Sequence, residues 1–188
     1  MHVARVAGRL YHSRVSEGLD SSAEIREGVL VLGVGNLMKG DDAVGPVVAM
    51  RLGARGAVID EPSTREPGGK RIVALDCGTT PENYTSVIRR LRPQLLVIVD
   101  AAEMGLEAGQ CRVIPRERVG SLGLSTHSMP LSLFMSYVDE LVGEIILVGV
   151  QPHSMAFGVE LSPRVATTAD SLVECLERDG LRELPVLA

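Results

Sequence analysis

Tryptophan is absent, and phenylalanine and tyrosine together bring the aromatic share to only 3% of the 188 residues. The interior therefore has to be built from Val, Leu, Ile, Ala and Met, and 45% hydrophobic residues is enough for one domain of ordinary size. Cysteine is scarce as well. Cys77, Cys111 and Cys175 are odd in number and widely spaced, with no CxxC pair, which argues against a zinc ribbon or a disulfide scaffold and for a reducing compartment. No apolar run approaches the roughly 18 residues of a spanning helix, so no membrane span is expected. Nor is there a Lys/Arg cluster: 19 basic against 24 acidic residues give a net charge of -5, which disfavours nucleic acid as a partner. The arginines at positions 5, 9 and 14 interrupt any signal-peptide core, and a cytoplasmic location is expected.

What is present is organised around residues 29–46. Val29 to Val34 is a nearly continuous apolar run, the pattern of a central parallel strand covered on both faces. Gly33, Gly35 and Gly40 then punctuate a loop that delivers Asp41 and Asp42 to a helix start, with Pro46 at an early helical position. A dinucleotide loop would need a third glycine where Met38 stands. A phosphate loop would need lysine and a hydroxyl where Asp41 and Asp42 stand. Two carboxylates repel phosphate and attract cations, so the loop suits a metal ion or acid and base chemistry. The bland alternative is that one aspartate merely caps the helix.

Along the chain, residues 1–27 form an N-terminal extension and 28–188 one α/β domain. Residues 53–71 are a Gly- and Pro-rich loop. A second strand, 72–75, ends in Asp76-Cys77-Gly78. A helix then starts with Thr80 as N-cap and Pro81 at its first position and stops near Arg92-Pro93. A third strand, 95–99, is closed by Asp100, a charge that needs a partner, a cation or an exit to solvent. Residues 111–115 make a short edge strand, with antiparallel pairing suggested by the proline. Ser125-Thr-His-Ser-Met-Pro130 leads into a helix with Ser128 as the candidate N-cap and Pro130 in the first turn, burying Leu131, Phe134, Met135 and Val138. A fifth strand, 145–150, runs into Gln151-Pro152-His153, and Ser162-Pro163 opens the last helix. This alternation implies a three-layer sandwich: a mostly parallel, about five-stranded sheet with helices on both faces.

In such folds the loops beyond the carboxyl ends of the strands meet at a crevice. Asp42, Asp100 and His127 stand in loops that can meet there, an oxygen-rich donor set with one nitrogen that suits a divalent transition metal such as nickel, zinc or manganese. Cys77 with His127 is a rival nucleophile and base. His153 beside Pro152 is expected to be a solvated loop residue.

Gly33-Val-Gly-Asn36 with Asp41-Asp42, Val99-Asp-Ala101 with Gly105, Ser125-Thr-His-Ser-Met-Pro-Leu131, and Gly149-Val-Gln-Pro152 together resemble the hydrogenase maturation endopeptidases. These proteases trim the C-terminal tail from the large subunit of NiFe hydrogenases. The resemblance runs from about Val29 to about Val173, with the blocks in the same order. It implies a peptidase whose nickel-sensing residues match Asp42, Asp100 and His127, and it makes Gly35, Asn36, Asp41 and Gln151 candidates for substrate contact. The nickel belongs to the substrate, a large-subunit precursor, so the free protein is not expected to hold metal tightly. Ala43 departs from the family's glycine after the acidic pair, residues 53–71 look longer than its loop, and residues 1–27 have no counterpart. The alternatives are a non-enzymatic nickel-binding or chaperone module and a self-sufficient metallohydrolase of small substrates.

Overall fold

The computed structural model describes residues 28–54, 71–124 and 129–188. Their elements run β1 (Gly28–Gly33), α1 (Val44–Ala54), β2 (Arg71–Asp76), α2 (Thr85–Leu91), β3 (Leu95–Glu103), β4 (Cys111–Ile114), α3 (Arg116–Val119), β5 (Gly123–Leu124), α4 (Leu131–Val138), β6 (Glu144–Val150) and α5 (Pro163–Glu177). Five strands form one sheet in the order β2-β1-β3-β6-β4. β1, β2, β3 and β6 are mutually parallel, and β4 is the antiparallel edge against β6. The short β5 pairs antiparallel with the far end of β3.

The strands are apolar on both sides because both sides are covered. Val29 and Val31 of β1, Ile72 and Ala74 of β2, and Val97 and Val99 of β3 share one core with Val48 and Leu52 of α1 and Val165, Ala169 and Leu172 of α5. The alternate residues, Leu30, Leu32, Val73, Leu75, Leu96 and Ile98, share the other with Ile88, Val119, Leu131, Phe134 and Val138 of α2, α3 and α4. The expected three layers are present. On the first face, Arg51 ties α1 to α5 through Ala166 O at 3.0 Å and the Asp170 carboxylate at 3.0 Å. The edge strand β4 is partly covered by the C-terminal tail: Val113 N donates to Pro185 O and Leu187 N to Val113 O, which occupies backbone groups an open edge would leave exposed.

Several local expectations are corrected. β3 continues through Glu103, so Asp100 lies inside the strand, paired with Gly149 of β6. A 3-10 turn, Gly40–Ala43, stands between the loop and α1. Thr80 precedes a 3-10 turn and makes no side-chain cap bond, whereas Ser162-Pro163 opens α5 as expected. Pro130 stands at the N-cap of α4; Ser128, expected there, lies outside the described residues, as do residues 1–27 and 55–70.

The start of α1 approaches the sheet more closely than any side chain would allow. A Cβ on Gly45 would collide with the carbonyl oxygens of Val34 and Val99, and one on Gly33 with the carbonyl of Gly45. Alanine is ordinarily favoured over glycine in a helix by about 1 kcal/mol, but the obstructing atoms here are backbone and cannot rotate away. Gly45→Ala is therefore expected to destabilise the fold by at least about 2 kcal/mol, read as a lower denaturation midpoint with an unchanged slope.

Candidate functional site

The chain leaves β1 for β2 on one side, then returns across β1 to β3 and continues to β6 on the other. The order of strands thus reverses between β1 and β3, the position at which parallel sheets open a crevice beyond their carboxyl ends. β1 pairs with β3 only as far as Gly33 opposite Val99. Asp100 is the next residue along β3, so it stands where β1 has just ended. The 3-10 turn carrying Asp41 and Asp42 packs on β3. Two of the three expected ligand positions therefore border the same crevice.

The loop after β1 is wound on itself. Asn36 N donates to Asp42 O at 3.1 Å, Lys39 N to Asn36 O at 3.0 Å and Asp42 N to Lys39 O at 3.0 Å, and the Asn36 side chain accepts from Met38 N at 2.9 Å. Gly35 has φ of 136°, and a Cβ on it would strike the Asp42 carbonyl, so only glycine serves there. Ala43 has no positive φ, so its methyl is accommodated without backbone strain. The loop after β2 closes beside it, with Gly35 N donating to Gly78 O and Cys77 N to Gly33 O.

Among the described residues, the buried polar or charged side chains are Asp41, Asp42, Asp100 and Gln151. All four stand at this end of the sheet. Asp41 is engaged by the protein: its Oδ2 accepts the backbone N–H groups of His153 at 2.7 Å and Ser154 at 3.1 Å, and its Oδ1 that of Ser162 at 2.6 Å. Gln151 is engaged too. Its Oε1 accepts Met104 N at 2.7 Å and Leu106 N at 3.2 Å, while Nε2 donates to Glu103 Oε2 at 2.8 Å and Pro152 O at 3.3 Å. Asp42 differs from its neighbour, because its Oδ1 is buried and has no hydrogen-bond partner among the described residues. His127 lies outside the described residues. Among the described residues no three His, Cys, Asp or Glu side chains are grouped closely enough to hold a metal ion, which leaves two carboxylate positions at the crevice.

Cys77 is a poor nucleophile in this setting. It is buried, its thiol faces Leu75 O at 3.7 Å, and burial, reinforced by the neighbouring Asp76 charge, holds its pKa well above the ordinary thiol value. The His153 side chain is exposed, as expected, whereas its backbone N–H serves Asp41.

Sequence reasoning missed the segment after β6. Residues 151–162 contain neither helix nor strand, yet they fold over the Asp41 turn: Asp41 N donates to Ser154 O at 2.9 Å and Gly158 N to Met38 O at 2.8 Å. This brings Leu37 and Met38 beside Phe157 and Val159, four exposed apolar side chains, Phe157 being 73% accessible. Only the apolar residues Met155, Phe157, Val159 and Leu161, following Pro152 and broken by Gly158, hinted at it.

Comparison with known proteins converges on one family. The family model for HycI, hydrogenase maturation protease, matches residues 62–179. The chain is 34% identical over 149 residues to the hydrogenase 3 maturation protease of Escherichia coli (strain K12), covering 79% of this chain and 88% of that protein. The solution structure of the endopeptidase HycI from Escherichia coli superposes with a TM-score of 0.72 at 32% identity, covering 86% of this chain and 97% of that one. The crystal structure of a NiFe hydrogenase maturation protease HycI from Thermococcus kodakarensis gives 0.67 at 33% identity, over 84% and 94% of the two chains.

The raised Cys77 pKa has a signed consequence. The folded protein holds the thiol proton more tightly than the unfolded chain, so this contribution to stability is complete below about pH 8.5 and declines as pH rises toward the folded value. At pH 8, Cys77 is expected to alkylate at least about 100-fold more slowly in native than in denatured protein, followed by peptide mass after quenching.

Proposed function

The chain belongs to the hydrogenase maturation proteases, and from that membership we propose that it removes the C-terminal tail of a NiFe hydrogenase large-subunit precursor, recognising nickel already inserted in that precursor. An endopeptidase acting on a hydrogenase precursor follows from the family; the nickel and the residues that meet it are our reading. Asp42, Asp100 and His127 are the residues we assign to it, with Gly35 and Asn36 in the loop that faces the substrate. Membership in a protease family sets aside the chaperone and the small-substrate metallohydrolase.

The observation that carries this reading is the buried Asp42 Oδ1, which has no hydrogen-bond partner among the described residues. A buried carboxylate oxygen without a donor costs at least about 1–3 kcal/mol, and a cation presented by the substrate would relieve that cost. Asp100, buried at the strand-order reversal, supplies a second oxygen donor at the same crevice. Covalent reach is compatible with the third: Leu124 pairs with Ala102, two residues past Asp100, and His127 is three residues further on, at most about 11 Å of extended chain. Two carboxylates and an imidazole suit nickel.

The division of labour is simple. Asp42, Asp100 and His127 hold the precursor's nickel, and that grip places the adjoining peptide bond. A Lewis-acidic metal beside the scissile carbonyl would polarise it toward attack by water, an effect worth several kcal/mol of barrier. The exposed apolar rim of Leu37, Met38, Phe157 and Val159 gives a protein substrate something to bury beside the crevice. No helix among the described residues is long and apolar enough to cross a membrane. With Cys77, Cys111 and Cys175 all free, we place the reaction in the reducing cytoplasm.

Intact mass of candidate precursors after incubation tests the proposal. The nickel-loaded precursor should lose its tail and the nickel-free one should not. Asp42→Asn should slow processing by at least about 100-fold, the scale of misplacing a reacting group by an ångström, with little change in thermal midpoint. Normal processing by that variant, or equal cleavage of nickel-free precursor, would remove the basis for the assignment.

A further inference from the structure

Two of the buried polar side chains at the crevice have little capacity left for a substrate. A side-chain amide offers two donors and two acceptor sites, and Gln151 uses all four on Met104 N, Leu106 N, Glu103 Oε2 and Pro152 O. Asp41 accepts three backbone N–H groups while almost wholly enclosed. Both join residues 151–162 to the elements at the crevice, Asp41 from the turn that carries Asp42 and Gln151 to the residues that follow Asp100 at the end of β3.

We infer that Asp41 and Gln151 are positioning residues. They fasten the turn carrying Asp42 and the end of the strand carrying Asp100 to one common brace, and so set the separation of the two carboxylates. The inference rests on the proposed roles of Asp42 and Asp100 and adds how their spacing is held. Asp41 is bonded to Asp42 through a single peptide, and a shift of the Asp41 carboxylate carries Asp42 with it. Its partners are distant in sequence: Ser162 is the residue before α5, so that bond ties the Asp42 turn to a helix packed on the same face as α1. Gln151 follows β6 directly, and its Oε1 holds Met104 and Leu106, four and six residues beyond Asp100. Backbone bonds reinforce both ends, with Asp41 N donating to Ser154 O at one and Gly109 N to Gln151 O and Gln151 N to Gln110 O at the other. Gly40 completes the fit: with φ of 53°, its missing Cβ would lie 2.5 Å from Ser154 O.

Because the brace has no helix or strand of its own, its geometry depends on these side-chain bonds together with the few backbone bonds that accompany them. Loss of one should therefore change the arrangement of Asp42 and Asp100 more than the overall stability. A swap tests this directly. Gln151→Glu keeps the acceptors for Met104 and Leu106 but sets a carboxylate against Glu103. Adding Glu103→Gln restores a donor and an acceptor with their direction reversed.

The experiment measures kcat and KM for processing of nickel-loaded precursor by wild type, Asp41→Asn, Gln151→Glu and the Gln151→Glu/Glu103→Gln pair. It adds thermal unfolding and amide hydrogen exchange of His153, Ser154 and Ser162 in the isolated proteins. The expected result for Asp41→Asn and Gln151→Glu is a fall in kcat of about tenfold or more with KM within about threefold, the pattern of a supporting residue rather than a substrate contact. Exchange at the three amides should accelerate in Asp41→Asn, and the swapped pair should recover kcat. Unchanged kcat in folded variants, a rise in KM at constant kcat, or a swapped pair no better than Gln151→Glu would each overturn the inference. Should Asp41→Asn fail to fold, the Gln151 pair decides. A wild-type protein that leaves every nickel-loaded precursor intact overturns the processing reading instead, and unchanged amide exchange in Asp41→Asn would then overturn the brace by itself.

Discussion

A carboxylate can be kept out of water only if something else answers its charge, and this constraint governs the carboxyl-terminal rim of the sheet. Asp41 and Asp42 are adjacent, equally buried and on one turn, yet they meet the constraint in opposite ways. Asp41 is satisfied by three backbone donors from the chain itself. Asp42 keeps an oxygen unpartnered among the described residues. The first makes the second tolerable: bonds that net about 1 kcal/mol each, and more when they meet a charge, hold the turn in place while its neighbour bears an unmet polar atom. Local stability is given up at a position where a ligand can return it.

That arrangement is only reachable because the backbone comes very close to itself. Gly45 lies directly on the carbonyls of Val34 and Val99, and Gly33 on that of Gly45. Any side chain at these points would push α1 off the sheet and lift the Asp42 turn away from β3. The glycines of the first loop therefore do two separate jobs. Gly35 and Gly40 adopt positive φ to shape the turn and also lie close to backbone carbonyls, whereas Gly33 and Gly45 supply contact distance alone. An interior so poor in aromatics suits this packing, since small branched side chains fill two thin cores and Phe134 is the one ring fully buried among the described residues.

Much of this was legible in the sequence, and the part that was not has a physical reason. Val29 to Val34, Leu95 to Val99 and Ile145 to Val150 declared themselves as buried parallel strands through uninterrupted apolar runs, and the proline at 115 marked an edge. The strand through Asp100 was cut short because a charge within a run reads as a terminus; pairing with Gly149 of β6 overrides that local signal. The Asp41-Asp42 pair was visible as a unit, but not its division into one satisfied and one unsatisfied carboxylate. That division depends on Ser162 and His153, more than a hundred residues away in the chain, and no periodicity encodes it. Gln151 was picked out by its motif, while its saturation by Met104, Leu106, Glu103 and Pro152 is a fact of folding. Cys77 illustrates the reverse. Its position after a strand made it a candidate nucleophile, and the burial shown by the fold, with Asp76 beside it, raises the thiol's pKa well above the ordinary value.

The segment after β6 connects these observations to recognition. Its inner side is committed to Asp41 and to the loop beyond β3, and its outer side presents Phe157 and Val159 next to Leu37 and Met38. A segment without helix or strand is ordinarily the least stable part of a domain, and exposed apolar side chains on such a segment would ordinarily favour its collapse onto the core. Here the bonds to Asp41 and the close approach at Gly40 hold its path, so the apolar side chains face outward instead of folding in. The polar interior of the rim and its apolar exterior are thus two faces of one structural solution. A residue that closes the inner side also determines what the outer side can offer to a protein substrate.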